Sequence, residues 1–255
     1  MKGRLVTVTL AIVLFASPVS GHDITMYPIE SGDGVKLDVF FGDPGEYVRI
    51  DKRGFIELIA FDSDDNQTAL AHLIQGDDQN VKKLWTQELT LDGLVPGTIL
   101  LGARYDNGFA LGSVDGRSVR TTLQEWGKEV SFSKRLLKCA KTLFYTNSPS
   151  GGYDRILGHR VEFVPLENPF LLEDGAELPV QLLIDGMPKP NHKVHIGDDT
   201  SAQLGPDVYT DGNGVFLVRL DHAGYYRLAV DYTVTAARPE LSLVDEYTAS
   251  LVFRR

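Results

Sequence analysis

Residues 226–234 read Tyr226-Arg227-Leu228-Ala229-Val230-Asp231-Tyr232-Thr233-Val234. Tyr226, Leu228, Val230, Tyr232 and Val234 take every second position, with Arg227, Asp231 and Thr233 between them. A strand projects successive side chains to opposite faces, so a period of two predicts one buried and one solvated face, the pattern of antiparallel sandwiches. The same period recurs outward from this stretch. Towards the C-terminus it carries Tyr247, Ala249, Leu251 and Phe253. Towards the N-terminus, Val180, Leu182 and Ile184 precede Asp185-Gly186, and Ile99, Leu101, Ala103 and Tyr105 precede an expected turn at Asp106-Asn107-Gly108. Val35, Leu37, Val39 and Phe41 alternate with Lys36, Asp38 and Phe40. Gly42-Asp43-Pro44, Asp92-Gly93, Val114-Asp115-Gly116 and Asp211-Gly212-Asn213-Gly214 supply turn signals between such runs. The expected fold class is all-β, because 25 glycines and 12 prolines interrupt every long helical candidate.

Residues 131–145 admit two readings. A helix would put Leu136, Ala140, Leu143 and Phe144 on one face; a strand would turn Leu137, Cys139, Leu143 and Tyr145 inward, with Lys141 breaking the pattern. The strand is favoured for 135–145, and a short helix or irregular crossover for 118–130, around Leu123 and Trp126. Asn147-Ser148-Pro149-Ser150-Gly151-Gly152 has the composition of a linker or long loop. The expected organisation is an N-terminal β-sandwich over 22–148, a linker over 149–157 and a C-terminal, immunoglobulin-sized β-sandwich over 158–255.

Hydrophobic residues make up 43% and charged residues 24% of the 255 positions, close to the globular average, which argues against wholesale disorder. Thirty-five acidic against 25 basic residues, a formal charge of −10, exclude a partner that is nucleic acid or anionic lipid. A single cysteine, Cys139, excludes an intrachain disulfide and a thiolate zinc cluster. The chain opens as an export signal: Lys2 and Arg4, an apolar run from Leu5 to Ala16, then small residues Val19 and Gly21 at the −3 and −1 positions of a cleavage site after Gly21. The apolar run is too short to span a bilayer, so residues 1–21 are expected to be a signal peptide with no retained membrane anchor, and the mature protein to be periplasmic.

Cleavage there exposes a chemical group. His22 becomes the first residue, carrying a free α-amine beside its imidazole; with ordinary pKa values of about 7.7–8.0 and 6.5, both are easily deprotonated nitrogens that together chelate a divalent transition metal. A histidine merely compatible with the cleavage site is the bland alternative.

The order of motifs resembles a family of periplasmic proteins associated with nickel or cobalt uptake, the NikM-like family. It begins with His22-Asp23 and Gly42-Asp43-Pro44-Gly45-Glu46, then Pro96-Gly97-Thr98, Tyr105-Asp106-Asn107-Gly108-Phe109 and Cys139-Ala140-Lys141-Thr142-Leu143. It continues through Leu157-Gly158-His159-Arg160-Val161-Glu162-Phe163, Asn168-Pro169-Phe170, Gly186-Met187-Pro188 and Thr210-Asp211-Gly212-Asn213-Gly214, ending at Ala249-Ser250-Leu251-Val252-Phe253. The resemblance implies a divalent metal (nickel, cobalt or copper) as cofactor or cargo and a membrane metal transporter as partner. For residues 158–255 it implies a sandwich similar to transthyretin or carboxypeptidase-regulatory domains. Members often carry histidine where this chain has Asp43 and Asp231; His22 matches. Carboxylates at those positions offer harder oxygen donors. The expected metal ligands are therefore His22, Asp43, Asp231 and His195, the last sitting between Val194 and Ile196 on a strand rim.

For His72, His159, His192 and His222 the surface or hydrogen-bonded reading is preferred. Asp62, Asp64 and Asn66 imitate the start of a calcium loop, but Gln67 and Leu73 stand where glycine and glutamate are needed; these residues, with Asp77-Asp78 and Asp198-Asp199, read as solvated loop tips. No nucleophile elbow, zincin helix or phosphate loop is present, and Cys139 reads as structural, so no enzyme is expected. The leading expectation is a periplasmic metal-binding or delivery protein. The alternative is a metal-free β-sandwich module binding a protein or glycan at the cell envelope.

Overall fold

The computed structural model describes residues 22–31, 34–76, 82–86, 89–90, 95–198 and 207–255. The expected signal peptide with its cleavage site, Asp77-Asp78, Asp92-Gly93 and Asp199 lie outside the described residues. Strands of the first half are β1 (Ile24–Ser31), β2 (Gly34–Asp43), β3 (Glu46–Val48), β4 (Phe55–Phe61), β5 (Gln67–Ala69), β6 (Ile74–Gln75), β7 (Lys83–Thr86), β8 (Leu89–Thr90), β9 (Thr98–Ser113) and β10 (Ser118–Val119). A one-turn helix α1 (Leu123–Trp126) leads into β11 (Val130–Tyr145). The second half contributes β12 (Val161–Pro165), β13 (Glu177–Ile184), β14 (Met187–Pro188), β15 (Lys193–Gly197), β16 (Asp207–Tyr209), β17 (Val215–Arg219), β18 (Tyr225–Thr235) and β19 (Val244–Arg254). The all-β expectation holds, 135–145 is strand, and the short helix falls where Leu123 and Trp126 placed it, closed by a Thr122/Glu125 capping box.

Three sheets form among the described residues. One runs β1-β2-β7-β6 with β3 and β8 also on β2; a small one runs β12-β13-β14 with β17 on β13. The largest runs β16-β15-β18-β19-β11-β9-β4-β5, with β10 on β9. All pairings are antiparallel except β11 with β19, which run parallel from Lys134↔Val244 to Leu143↔Phe253. The two halves expected on either side of 149–157 thus share one sheet.

That sheet is the middle of three layers. Ala140 of β11, Leu101 and Ala103 of β9 and Leu58 of β4 pack with Met26, Leu37, Val39 and Leu84 of the first sheet. From the opposite face, Cys139 and Leu143 of β11, Leu228 of β18 and Leu251 of β19 pack with Phe163, Val180 and Val218 of the small sheet. Each fully buried leucine, valine, methionine or phenylalanine among them contributes roughly 1.5–3 kcal/mol. The middle layer explains where the period-two reading fails. The Arg227 face of β18 was expected to meet solvent, yet Arg227 is 0% exposed because β1 and β2 cover it.

Two further local differences have simple causes. The turn expected at Asp106-Asn107-Gly108 is absent, since β9 runs straight through it. Register shifts from Arg135↔Phe109 to Leu137↔Asp106, so two β9 residues oppose one of β11 in a bulge that Gly108 completes at φ +72°. The 149–157 segment is tied down: Ser150 and Thr98 exchange backbone and hydroxyl bonds of 2.9 Å, and Asn168 donates to the Ser150 carbonyl. Gly97 permits this approach, because a Cβ there would lie 2.4 Å from Ser150 Oγ. Asp185-Gly186 is a turn with both φ positive (51° and 76°), as its sequence requires.

Candidate functional site

The register of β1 on β2 builds the site. Ile24 pairs with Phe41, and Gly42 donates to the Asp23 carbonyl at 2.9 Å, which sets His22 and Asp23 beside Gly42-Asp43. His22 Nδ1 lies 3.6 Å from Asp43 Oδ2, just beyond hydrogen-bond length, and the imidazole stands edge-on to Phe41 at 5.8 Å. From the middle sheet below, Arg227 Nη2 donates to Asp23 Oδ2 at 2.7 Å and to Asp43 Oδ1 at 2.8 Å. One guanidinium nitrogen therefore holds one oxygen of each carboxylate.

The two carboxyls are not equivalent. Burial raises the Asp43 pKa, but His22 and Arg227 together outweigh it and hold the group below the usual carboxylate range, so Asp43 is an anion. Asp23 is pushed up to about 7, because burial outweighs Arg227 and the nearby negative Asp231 adds to the penalty. Lys138 completes the network from β11. Burial drives its ammonium pKa down while Asp23, Asp231 and Glu246 draw it up; its Nζ donates to Thr248 Oγ1 at 2.7 Å, and Thr248 donates to Asp231 Oδ1 at 3.0 Å. Four buried atoms here have no hydrogen-bond partner: His22 Nδ1, Asp23 Oδ1, and Arg227 Nε and Nη1.

Of the four expected ligands, His22 and Asp43 meet. Asp231 is linked to them through Thr248 and through its field on Asp23. His195 pairs with Ala229, one strand further out on β15; directly opposed residues share a face, so it lies on the side that carries Arg227 and Asp231. Among the described residues, no three His, Cys, Asp or Glu side chains are grouped to hold a metal ion. Sequence reasoning missed Asp23, Arg227, Lys138 and Thr248. Asp23 follows the expected chelating histidine directly, and Arg227 sits four residues before Asp231 on the same strand face; those were the available signals.

The remaining polar motifs resolve plainly. Asp62 is not a solvated tip: it is buried and accepts from Asp64 N, Asn66 N, Asn66 Nδ2 and Val95 N, a carboxylate used to staple a loop. His159 Nε2 meets Glu57 Oε1 at 3.2 Å, His192 Nε2 meets the Asp231 carbonyl at 3.0 Å, and His222 stacks on Tyr226. Burial pushes the Cys139 thiol up to about 11, too high for a thiolate nucleophile.

Residues 19–234 match the family model described as "Domain of unknown function (DUF4198)", and the chain belongs to that family. No curated protein matches the chain. Among solved structures, dimeric latent PorU from Porphyromonas gingivalis is similar at 11% identity and a TM-score of 0.24. That match covers 89% of this chain and 20% of PorU, so the chain spans about a fifth of that structure's length.

Proposed function

We propose that the protein is an exported, periplasmic carrier of a divalent transition metal, akin to the NikM-like proteins of nickel and cobalt uptake. In this reading it binds metal at the mature N-terminus and presents it to a membrane transporter, and its second half is a transthyretin-like sandwich. One observation carries the reading: His22 Nδ1 is buried without a hydrogen-bond partner and faces an anionic Asp43 at 3.6 Å. Two donors each about 2.1 Å from a tetrahedral ion stand about 3.4 Å apart, so imidazole and carboxylate fit one metal with little movement. The α-amine released by cleavage adds a second nitrogen on His22, and Asp231 or His195, on the same sheet face, is the source of a further donor.

Calorimetric titration of nickel and copper into protein beginning at His22, and into protein with a Gly-Ser extension before it, tests the proposal. Affinity should fall at least about tenfold with the extension and weaken as pH falls, because protons compete with metal for both nitrogens. Equal affinity in both forms overturns it.

A second reading rests on Arg227. Its guanidinium already bridges Asp23 and Asp43, supplying the positive charge that a metal would bring. On this reading the centre is structural and the protein is a metal-free envelope module for a protein or glycan. Protein isolated from the periplasm without bound metal, and unresponsive to added nickel or copper, decides for it.

A further inference from the structure

On the opposite side of the middle sheet, where it extends past the small sheet, lies a groove of about 530 Å³. Its floor is Arg104, Leu137, Cys139 and Tyr247; Ile56 forms one wall, and Gly158-His159-Arg160 with the Asp185-Gly186 turn forms the other. Both halves of the chain build it. We propose that this groove binds a small organic carboxylate whose anionic head meets Arg104 and whose apolar body covers Ile56, Leu137 and the Tyr247 ring.

Three observations support the assignment. First, Arg104 is the open cation. It gives one bond, from Nη2 to Glu57 Oε2 at 3.3 Å, and is half exposed, so most of the five donors of its planar fork face the groove or solvent. Arg160 is committed: its guanidinium pairs with Asp185 at 3.0 Å, lies over Tyr247 at 5.2 Å and donates to the Tyr247 hydroxyl. The free fork is suited to a planar, bidentate carboxylate. Second, His159 is 2% exposed and lines the groove with its Nδ1 unpartnered, while Nε2 is occupied by Glu57. A buried polar atom without a partner is costly, and a ligand oxygen or bridging water would satisfy it. Third, Ile56 is 54% exposed beside these charges, an apolar surface that a purely ionic ligand would leave wet. The volume lies within the ordinary range of small-molecule sites, about 300–1,000 Å³.

Titrations of 3-phenylpropionate, its neutral amide and inorganic phosphate, followed by backbone amide shifts with chelator present, test this. The carboxylate should shift Gly158, Arg160 and Tyr247 amides, with the amide and phosphate each binding at least about tenfold more weakly. Arg104→Gln should weaken carboxylate binding about tenfold or more, Arg104→Lys less, and Arg238→Gln, on a distant exposed loop, not at all. Carboxylate binding should also raise the melting temperature of Arg238→Gln and of the parent protein, but not of Arg104→Gln. The inference is overturned if the amide or phosphate matches the carboxylate, if Arg104→Gln binds unchanged, or if none of these ligands moves the groove amides. Because chelator is present throughout, failure here leaves the metal reading standing, and failure of the metal reading leaves this one.

Discussion

Strand β11 buries two lysines three residues apart, on opposite faces, and the contrast between their surroundings is instructive. Lys141 faces the second core. Its three donors reach Glu162 Oε2 at 2.7 Å, the Arg155 carbonyl and the Phe163 carbonyl, and Glu162 also accepts from Leu157 and Gly158. All three Lys141 donors and both Glu162 oxygens are engaged. Lys138 faces the first core, in the network with Asp23, Asp43, Arg227 and Thr248, where four buried polar atoms stay unpaired. A complete network fixes a structure; an incomplete one in the same low-dielectric interior is held at a cost that a ligand, ion or proton can relieve. The first is an anchor between layers, and the second is the less fully satisfied of the two.

The sharpest way to break this contrast is Lys141→Met. It strands a buried Glu162 and should cost about 3–5 kcal/mol in denaturant unfolding, with Glu162→Gln in the same chain recovering part of the loss because it removes the uncompensated charge while its one amide oxygen keeps a single acceptor for the Leu157 or Gly158 N–H. A cost under about 1 kcal/mol would show that the pair is not an anchor.

Next in size is a pH effect on the other face. Asp23 has a folded pKa near 7 against an ordinary 3.8, so between those values the folded state holds a proton that the unfolded state has lost. Stability from this group is fully present at lower pH and falls as pH rises from about 4 to 7, by roughly 3 kcal/mol. The groups that face it are Arg227, Asp43, Asp231, Lys138 and His22. Asp23→Asn should flatten the stability profile over that window relative to the parent. Identical slopes would mean that Asp23 is ionised throughout.

Arg227→Gln should cost less than Lys141→Met, about 2 kcal/mol, because Asp23 can neutralise itself by keeping its proton. The penalty should grow from pH 5 to pH 8. A cost equal to that at Lys141 would erase the distinction between the two networks.

The smallest effects should come from Thr142→Val and Ser250→Ala. Their hydroxyls donate to the Met26 and Ile24 carbonyls at 2.8 and 2.6 Å and dock β1 on the middle sheet. Each should cost about 1 kcal/mol in the same unfolding assay.

The sequence carried one side of each strand and lost the other. Tyr226, Leu228 and Val230 are buried as their period announced, and so are Val35, Leu37 and Val39. Arg227, Lys138 and Thr248 are also buried, because a sheet from the first half lies over their face, and period-two reasoning assigns polar positions to solvent by default. The β11–β19 pairing links residues more than a hundred positions apart and leaves no local trace. At the site, His22 and Asp43 were legible from chemistry and resemblance. Asp23 was hidden because its importance depends on which side chain stands beneath it, and that is set by long-range register.

The parallel pairing of β11 with β19 has a consequence in time. Synthesis delivers the chain from its N-terminus, yet the partner that closes the open edge of β11 is Val244–Arg254, made long after β11 itself. Until then the first half carries a long unsatisfied edge, a template for mispairing with other chains. Completion of the first half thus waits for β19, and a nascent chain that stops before Val244 lacks a strand from the middle of its largest sheet rather than from the rim.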